Sequence, residues 1–190
     1  MLRASILVFA LALNAAAQTP APDDADAGSR NAQRSTQPTP KLLSAAMPSS
    51  NEDHAAESML LELANQRRKE AGVAPLRMDE RLTEAARLHG KLMVDKRQLS
   101  HQFDGEPSLM PRLRESGLPL SWVGENVAYD TTAEKAFNAL MQSPPHRQNL
   151  LDPDFNTAGF AAFWSDGRLY VVQDFARVLP EVVPASNRQK

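Results

Sequence analysis

A change in composition near Asp53 limits which part of this 190-residue chain can fold. From residue 18 to residue 52 the sequence is dominated by Pro, Ala, Ser, Thr, Asp and Gln, and its few apolar residues follow no period. Such a segment cannot bury enough apolar surface to offset the entropy lost on ordering, so we predict a disordered linker. One folded domain is expected over residues 53–179, with a flexible tail over residues 180–190.

The first 17 residues have the pattern of a secretory signal peptide. Arg3 supplies a positive charge, residues 4–13 form an apolar run too short for a permanent membrane span, and small residues lead up to Ala17. We predict cleavage after Ala17, no stable membrane span afterwards, and a secreted or periplasmic protein. An uncleaved anchor is the alternative, because the positive region is weak. No cysteine lies near the cleavage site, which excludes a lipoprotein anchor.

The chain contains no cysteine at all, so no disulfide can stabilise the exported domain. Core packing must therefore hold the fold, and it is sufficient for a domain of more than about a hundred residues. The formal net charge is -2 and there is no RNP-like, zinc-finger or P-loop pattern, so nucleic-acid binding is not expected. The sequence leaves the oligomeric state open.

Hydrophobic periodicity predicts three main helices. The first is expected to begin near Ala56 and to be stopped by Gly72, and Asp79 is expected to cap the second. His89 falls on the apolar stripe of the second helix, where a core histidine with one hydrogen-bonded nitrogen is expected; a ligand role is the alternative. The third helix follows a capping-box pattern at Thr131–Glu134.

Extended segments are predicted between and after these helices. Residues 122–129 form a short apolar run that contains Glu125 between two valines. A carboxylate in such a run is partly desolvated and needs a cation, a donor or a proton; the alternative is a Glu at a strand edge that faces water. The β-prone runs 157–164 and 169–176 surround residues 165–168, a Ser-Asp-Gly-Arg segment typical of a hairpin turn.

Residues 143–151 (Ser-Pro-Pro-His-Arg-Gln-Asn-Leu-Leu) place several functional groups at the start of a short helix. Ser143 can cap this helix, and Pro144 suits its first position. His146 then lies in the first turn, where the positive end of the helix dipole favours a neutral ring that can ligate a metal or accept a proton. The alternative is a surface helix whose His is merely polar.

Two further expectations concern groups around this helix. His101 lies in a long connection just past the second helix, where functional groups are often displayed, although an ordinary loop histidine is the alternative. The side chains of Arg147 and Asn149 are expected to tie the short helix to Gly124–Asn126 by hydrogen bonds.

Four motifs occur in order: His101, Gly124-Glu125-Asn126, residues 143–151, and Ala158-Gly159-Phe160 before the final hairpin. This ordered set resembles the CAP superfamily of cysteine-rich secretory, antigen 5 and pathogenesis-related proteins, in its short, cysteine-free, bacterial SCP-like form. The resemblance covers about residues 56–178. It implies an α+β fold, a three-layer α-β-α sandwich, with a cleft in which two His and one or two Glu converge.

By this resemblance His101, Glu125 and His146 are the cleft residues. Many family members also carry a second acid on the helix before the last His. In this chain the expected position falls near Ser143, and the last preceding acid is Glu134, at the start of that helix. At most three of the four cleft groups are therefore present. The residues expected to support them are Asn126, Ser143, Arg147 and Asn149.

The resemblance favours a binding function. Family members are secreted modules, and several are associated with sterol, lipid or other apolar ligands, or with partner proteins. In this interpretation the cleft is an adhesive or metal-modulated surface without turnover. The candidate apolar lining residues, each of which is more simply explained as core, are Trp122, Phe155, Phe160 and Trp164.

A metal-dependent hydrolase is the first alternative. Two neutral imidazoles and a carboxylate suit a divalent ion such as Zn²⁺, which would activate a bound water. His101 and His146 would then be ligands, and Glu125 the catalytic base or a further ligand. The missing second acid, the lack of a His-Glu-x-x-His helix and the lack of a nucleophile elbow weaken this hypothesis. The second alternative is a structural scaffold in which Glu125 fixes His146 and nothing binds.

Overall fold

The computed structural model describes residues 51–180 and shows a four-stranded sheet between two layers of helices. The predicted three-layer α-β-α sandwich is confirmed. The predicted signal peptide, nearly all of the linker and nearly all of the tail lie outside the described residues. The helices are α1 (His54–Glu70), α2 (Glu80–Lys96), α3 (Leu109–Arg114), α4 (Ala133–Gln142) and α5 (Pro144–Leu151). The strands are β1 (Arg77–Met78), β2 (Leu120–Asp130), β3 (Thr157–Ser165) and β4 (Arg168–Val178).

The sheet has the strand order β1-β3-β4-β2, so β2 forms one of its edges. β4 pairs antiparallel with both β3 and β2, whereas the short β1 pairs parallel with β3. The predicted hairpin is confirmed between β3 and β4. Its two turn residues, Asp166 and Gly167, have φ values of 48° and 72°, as the turn that matches strand twist requires.

The two faces of the sheet are covered by different helices, because side chains alternate along each strand. On β4, Tyr170 and Val172 pack on the side of α2, while Val171 and Phe175 pack on the side of α1, α4 and α5. α3 packs on the same side as α2. We call these the α2/α3 layer and the α1/α4/α5 layer.

Polar caps begin three of the helices. The carboxylate of Asp53 accepts the backbone N–H of Ala56, and Asp79 accepts that of Arg81. α4 begins one residue later than the capping-box pattern predicted, because the hydroxyl of Thr132 accepts the capping hydrogen bond. The predicted cap of α5 is wrong: Ser143 occupies the N-cap position but its side chain makes no capping hydrogen bond.

Helix α2 packs directly on the sheet at Gly159. A Cβ atom at this position would lie 2.2 Å from the carbonyl carbon of Leu82, a distance that no side chain can occupy. The absence of a side chain on β3 therefore lets the backbone of α2 approach the sheet closely. Gly90 on the same helix also faces the sheet, because a Cβ there would lie 2.9 Å from the ring of Phe163.

Arg68 ties α1 to the end of α5 and to the chain that follows it, and its side chain is fully buried. Its guanidinium donates to four backbone carbonyls, at distances of 2.7 to 2.9 Å. These carbonyls belong to Ala74, Leu150, Asp152 and Phe155. Because a buried polar group is costly unless it is hydrogen-bonded, Arg68 and these carbonyls stabilise one another.

Candidate functional site

The candidate site lies on β2, which forms one edge of the sheet. Successive residues of β2 point to opposite faces, so Glu125 faces the α2/α3 layer and Asn126 faces the α1/α4/α5 layer. His101 follows α2 and contacts Glu125, whereas His146 belongs to α5. The two histidines are therefore carried by opposite layers.

His101 and Glu125 form a close pair. Nδ1 of His101 lies 2.8 Å from Oε1 of Glu125, and the His101 side chain is 44% exposed while that of Glu125 is 2% exposed. The other carboxylate oxygen, Oε2, accepts a hydrogen bond from Nη2 of Arg112. Glu125 is thus a buried carboxylate with both oxygens engaged, and the expectation of a desolvated Glu rather than a water-facing one is confirmed.

Burial raises the pKa of Glu125, but its partners more than compensate. The hydrogen bond from His101 and the positive charge of Arg112 lower the pKa further than burial raises it. The net pKa of the Glu125 carboxyl lies below its ordinary value of 4.5, so the group is ionised at neutral pH.

His146 is half-buried in the first turn of α5. Burial lowers the pKa of its ring below the ordinary value of 6.5, and the charge of His101 lowers it further. His146 is therefore neutral at pH 7 and can offer a nitrogen lone pair.

Two asparagines attach α5 to β2. Nδ2 of Asn149 donates to the backbone oxygen of Glu125 at 3.1 Å and to Oδ1 of Asn126 at 3.0 Å. Nδ2 of Asn126 in turn donates to the backbone oxygen of His146 at 3.0 Å. The absence of a side chain at Gly124 leaves room for the ring of Phe155, because a Cβ at that position would lie 2.9 Å from the ring. These contacts fix the position of His146 relative to Glu125.

Arg147 does not share the tying role expected of it. Its side chain is exposed and makes no hydrogen bond or ion pair to any residue in the range 51–180, so Asn149 alone makes the predicted contacts. Ser143 is half-buried and Glu134 is exposed at the start of α4. No acid therefore takes the place of the second family carboxylate on the described part of α4.

Sequence reasoning did not identify the polar groups behind Glu125. Arg112 of α3 contacts both Glu125 and Glu106. His89 is fully buried, as its place on the apolar stripe predicted, but both of its nitrogens are engaged: Nδ1 lies 2.7 Å from Oε1 of Glu106 and Nε2 lies 2.8 Å from the oxygen of Ser100. His89 thus belongs to the support of the cleft, not to its surface.

Asp174 is the other buried acid of this region. It lies directly opposite Glu125 in the pairing of β4 with β2, and it is fully buried. Burial and the negative charge of Glu125 raise the pKa of Asp174 well above its ordinary value of 3.8, and Arg112 opposes this shift. The sequence could have indicated this buried acid, because a Gln-Asp pair interrupts the apolar run of β4.

The aromatic residues considered as a lining do not form one apolar surface. Phe155 and Phe160 are 2% and 0% exposed and belong to the core. The indole N–H of Trp122 donates to Asp152, and that of Trp164 donates to Asp53.

The residues present do not fit a resident zinc ion well. Both oxygens of Glu125 are engaged by His101 and Arg112, which leaves two imidazoles as free donors, whereas catalytic zinc sites supply three protein ligands. Within residues 51–180 no group of three or more His, Cys, Asp or Glu side chains is arranged to hold a metal ion.

A four-stranded sheet between two layers of helices is the architecture of a CAP, or SCP, domain. The family comparison agrees: the chain belongs to the cysteine-rich secretory protein (CAP) family, whose model matches residues 61–175. The earlier resemblance is therefore confirmed, and this member contains no cysteine.

Two relatives from Bacillus subtilis share this region. The uncharacterized protein YkwD is 35% identical over 106 residues, which is 55% of this chain and 41% of YkwD. The uncharacterized membrane protein YlbC is 30% identical over 123 residues, covering 64% of this chain and 34% of YlbC. The chain thus spans well under half the length of these relatives.

Solved structures agree with the fold. An extracellular protein containing an SCP domain from Bacillus anthracis matches with a TM-score of 0.60 and 25% identity, over 66% of this chain and 41% of that one. An outer surface protein from Borrelia burgdorferi matches with a TM-score of 0.63 and 18% identity, over 68% of this chain and 99% of that one. In residues 51–180, none of the helices has the length and apolar character needed to cross a membrane.

Proposed function

We propose that this domain is an extracellular binding module that captures a ligand or partner protein at the His101–His146 cleft without converting it. Its two histidines would offer nitrogen lone pairs to a group that donates hydrogen bonds or, weakly, to a divalent ion. Export to the cell exterior or periplasm is part of this proposal, supported by the signal-like N-terminus and by the extracellular relative from Bacillus anthracis.

One observation carries this proposal: both oxygens of Glu125 are engaged. A catalytic base needs a carboxylate that can reach a substrate or water, and a third metal ligand needs a free oxygen. Glu125 instead orients His101 and is neutralised by Arg112. The arrangement supports a rigid recognition surface better than a hydrolytic centre.

Zinc binding separates a metal-modulated cleft from a metal-free one. Dialysed protein is titrated with Zn²⁺ by calorimetry, and we expect weak binding that is lost in a His101→Ala/His146→Ala double variant. The control is His54→Ala, which removes an exposed histidine at the start of α1. Identical isotherms for the wild type and the double variant would show that the two cleft histidines do not bind zinc.

A turnover assay separates binding from hydrolysis. Peptides, esters and cell-wall fragments are screened for conversion and, in parallel, for perturbation of the His101 and His146 ring signals by NMR. We expect a compound that shifts both signals and is recovered unchanged. Conversion of any compound by the wild type that disappears in Glu125→Gln would instead establish the hydrolase.

A further inference from the structure

A buried polar cluster lies behind the cleft, between α2, α3 and the sheet. Its centre is Arg112, whose side chain is 7% exposed. Around it lie His89 of α2, Glu106, Glu125 of β2 and Asp174 of β4. We call this set the Arg112 cluster. Since burying so many charged groups is costly, their mutual arrangement has to be well defined.

Arg112 contacts both members of the His101–Glu125 pair. Its Nη2 donates to Oε2 of Glu125, and its Nη1 lies 3.4 Å from the backbone oxygen of His101, at the long end of a hydrogen bond. A guanidinium is planar and rigid, so these two contacts are made in fixed relative positions. The guanidinium of Arg112 therefore holds both the backbone of His101 and the carboxylate of Glu125, which accepts the hydrogen bond from the His101 ring.

Arg112 is itself prevented from moving. Its Nη1 donates to Oε1 of Glu106 at 3.1 Å. Glu106 is fixed by Nδ1 of His89 at 2.7 Å and by the backbone N–H of Phe103 at 3.0 Å. The support thus extends from the cleft to the middle of α2.

We infer that Arg112 is a positioning residue that holds His101 as the Nδ1–H tautomer and so presents an unprotonated Nε2 to the cleft. A carboxylate paired with a guanidinium only accepts hydrogen bonds, so Nδ1 of His101 must donate to it. A neutral imidazole has one N–H, which leaves the lone pair on Nε2.

The surroundings of Nε2 agree with this assignment. In residues 51–180 no group makes a hydrogen bond to Nε2 of His101, and the side chain is 44% exposed. The inference rests on the proposed function in one respect: the tautomer matters for recognition only if the cleft binds. A ligand would then meet two acceptor nitrogens, one from His101 and one from neutral His146.

The tautomer is measured directly from the imidazole nitrogen chemical shifts of the protein at alkaline pH. In the wild type we expect the pattern of a single Nδ1–H tautomer. Arg112→Gln should convert it to a mixture, and Arg112→Lys, which keeps the charge but not the two-pronged contact, should give an intermediate pattern. Arg114→Gln, an exposed arginine of the same short helix, is the matched control and should match the wild type.

Zn²⁺ alone serves as a second probe. Loss of a group that orients a ligating histidine typically weakens metal affinity by roughly 10- to 100-fold, so Arg112→Gln should do so and Arg114→Gln should not. The inference is overturned if the wild type shows the Nε2–H tautomer, or if folded Arg112→Gln or Arg112→Lys keeps the wild-type pattern. If Arg112→Gln does not fold, the wild-type and Arg112→Lys spectra still decide. Absence of zinc binding by the wild type contradicts the metal-modulated cleft but not the tautomer, so the two failures are distinguishable.

Discussion

Asp174 is a buried acid with no positively charged group in close contact. The nearest cation contact, Nη2 of Arg112, is 3.9 Å from Oδ1 of Asp174, and a side-chain hydrogen bond with Glu125 adds to the rise in its pKa. Arg112 is already engaged by Glu106 and Glu125. Because two neighbouring buried carboxylates cannot both ionise cheaply, Asp174 is the one that keeps its proton.

This raised pKa gives a prediction with a definite sign. An acid whose pKa is higher in the folded state favours folding fully below its unfolded pKa, near 3.8, and loses that contribution as pH rises through the folded pKa. Asp174→Asn has no proton to lose. As pH rises, the free energy of unfolding of Asp174→Asn should therefore increase relative to that of the wild type, by about 1.4 kcal/mol per unit of pKa shift. Denaturant unfolding at several pH values measures this difference. Parallel curves would contradict the assignment.

His146 provides a second prediction at this scale. Its NMR titration midpoint should lie below 6.5, and in His101→Ala the midpoint should rise because one of the two causes of the shift is removed. The unfolded state binds the proton more readily than the folded state here, so His146 costs stability as pH falls through 6.5. His54→Ala is the control, and a midpoint that does not move in His101→Ala would show that the two rings do not interact.

A motif allowed some single residues to be named as candidates from the sequence, and that they form one site stays a prediction. His101, Glu125 and His146 could be named because the motif resemblance orders them along the chain. Arg112 lies in a six-residue helix with no distinguishing pattern, and its partners are remote in sequence. A contact between α3 and β2 depends on the packing of the two layers, which no local pattern encodes.

Among the secondary-structure elements, α5 depends on side-chain hydrogen bonds for its attachment to β2. Asn149→Ala removes two of them and leaves the Glu125 carbonyl and the Asn126 amide oxygen without those donors. A loss of about 1 to 3 kcal/mol of unfolding free energy is expected, measured by denaturant unfolding. Arg147→Ala, on the exposed side of the same helix, should stay within about 0.5 kcal/mol of the wild type. Equal effects of the two variants would contradict this account.

The ends of the helices and the hairpin turn were easier to predict from the sequence than long-range contacts. Asp79, Gly72 and the Asp166-Gly167 turn act through local backbone geometry, so the sequence alone predicts them correctly. The cap of α5 failed because Ser143 also ends α4, and its extended backbone joins the two helices without a side-chain bond. The exact start of α4 failed for a similar reason, since either of two adjacent threonines can cap.

Across the whole molecule, Arg68 links α1 to the chain on the far side of α5. Arg68→Met keeps an apolar stem but leaves four backbone carbonyls without their donor, so a loss of about 3 kcal/mol or more is expected. Arg67→Met changes the exposed neighbour on the same turn and is the control, with an expected effect below about 1 kcal/mol. Thermal unfolding followed by circular dichroism gives both values. A small effect of Arg68→Met would mean that water replaces the lost donor.

The layered architecture followed from the family resemblance, whereas the periodic pattern alone predicted only helices and strands. Nothing in the sequence indicated that Arg68 would be fully buried, because it stands beside an exposed arginine in a run of charged residues. Its role depends on where its four partner carbonyls, three of them in residues 150–155, lie in the folded molecule. Long-range partners of this kind need the complete chain path.

The placement of the two cleft histidines has a mechanical consequence for any ligand. His101 follows α2 and His146 belongs to α5, so the two residues are carried by opposite helical layers on either side of the edge strand β2. A molecule that bound both rings would join the α2/α3 layer to the α1/α4/α5 layer across β2, in addition to the Arg87–Glu57 ion pair that already joins α2 to α1. Binding of such a ligand would stabilise the folded domain. A rise in melting temperature would therefore reveal a ligand before its chemical identity is determined.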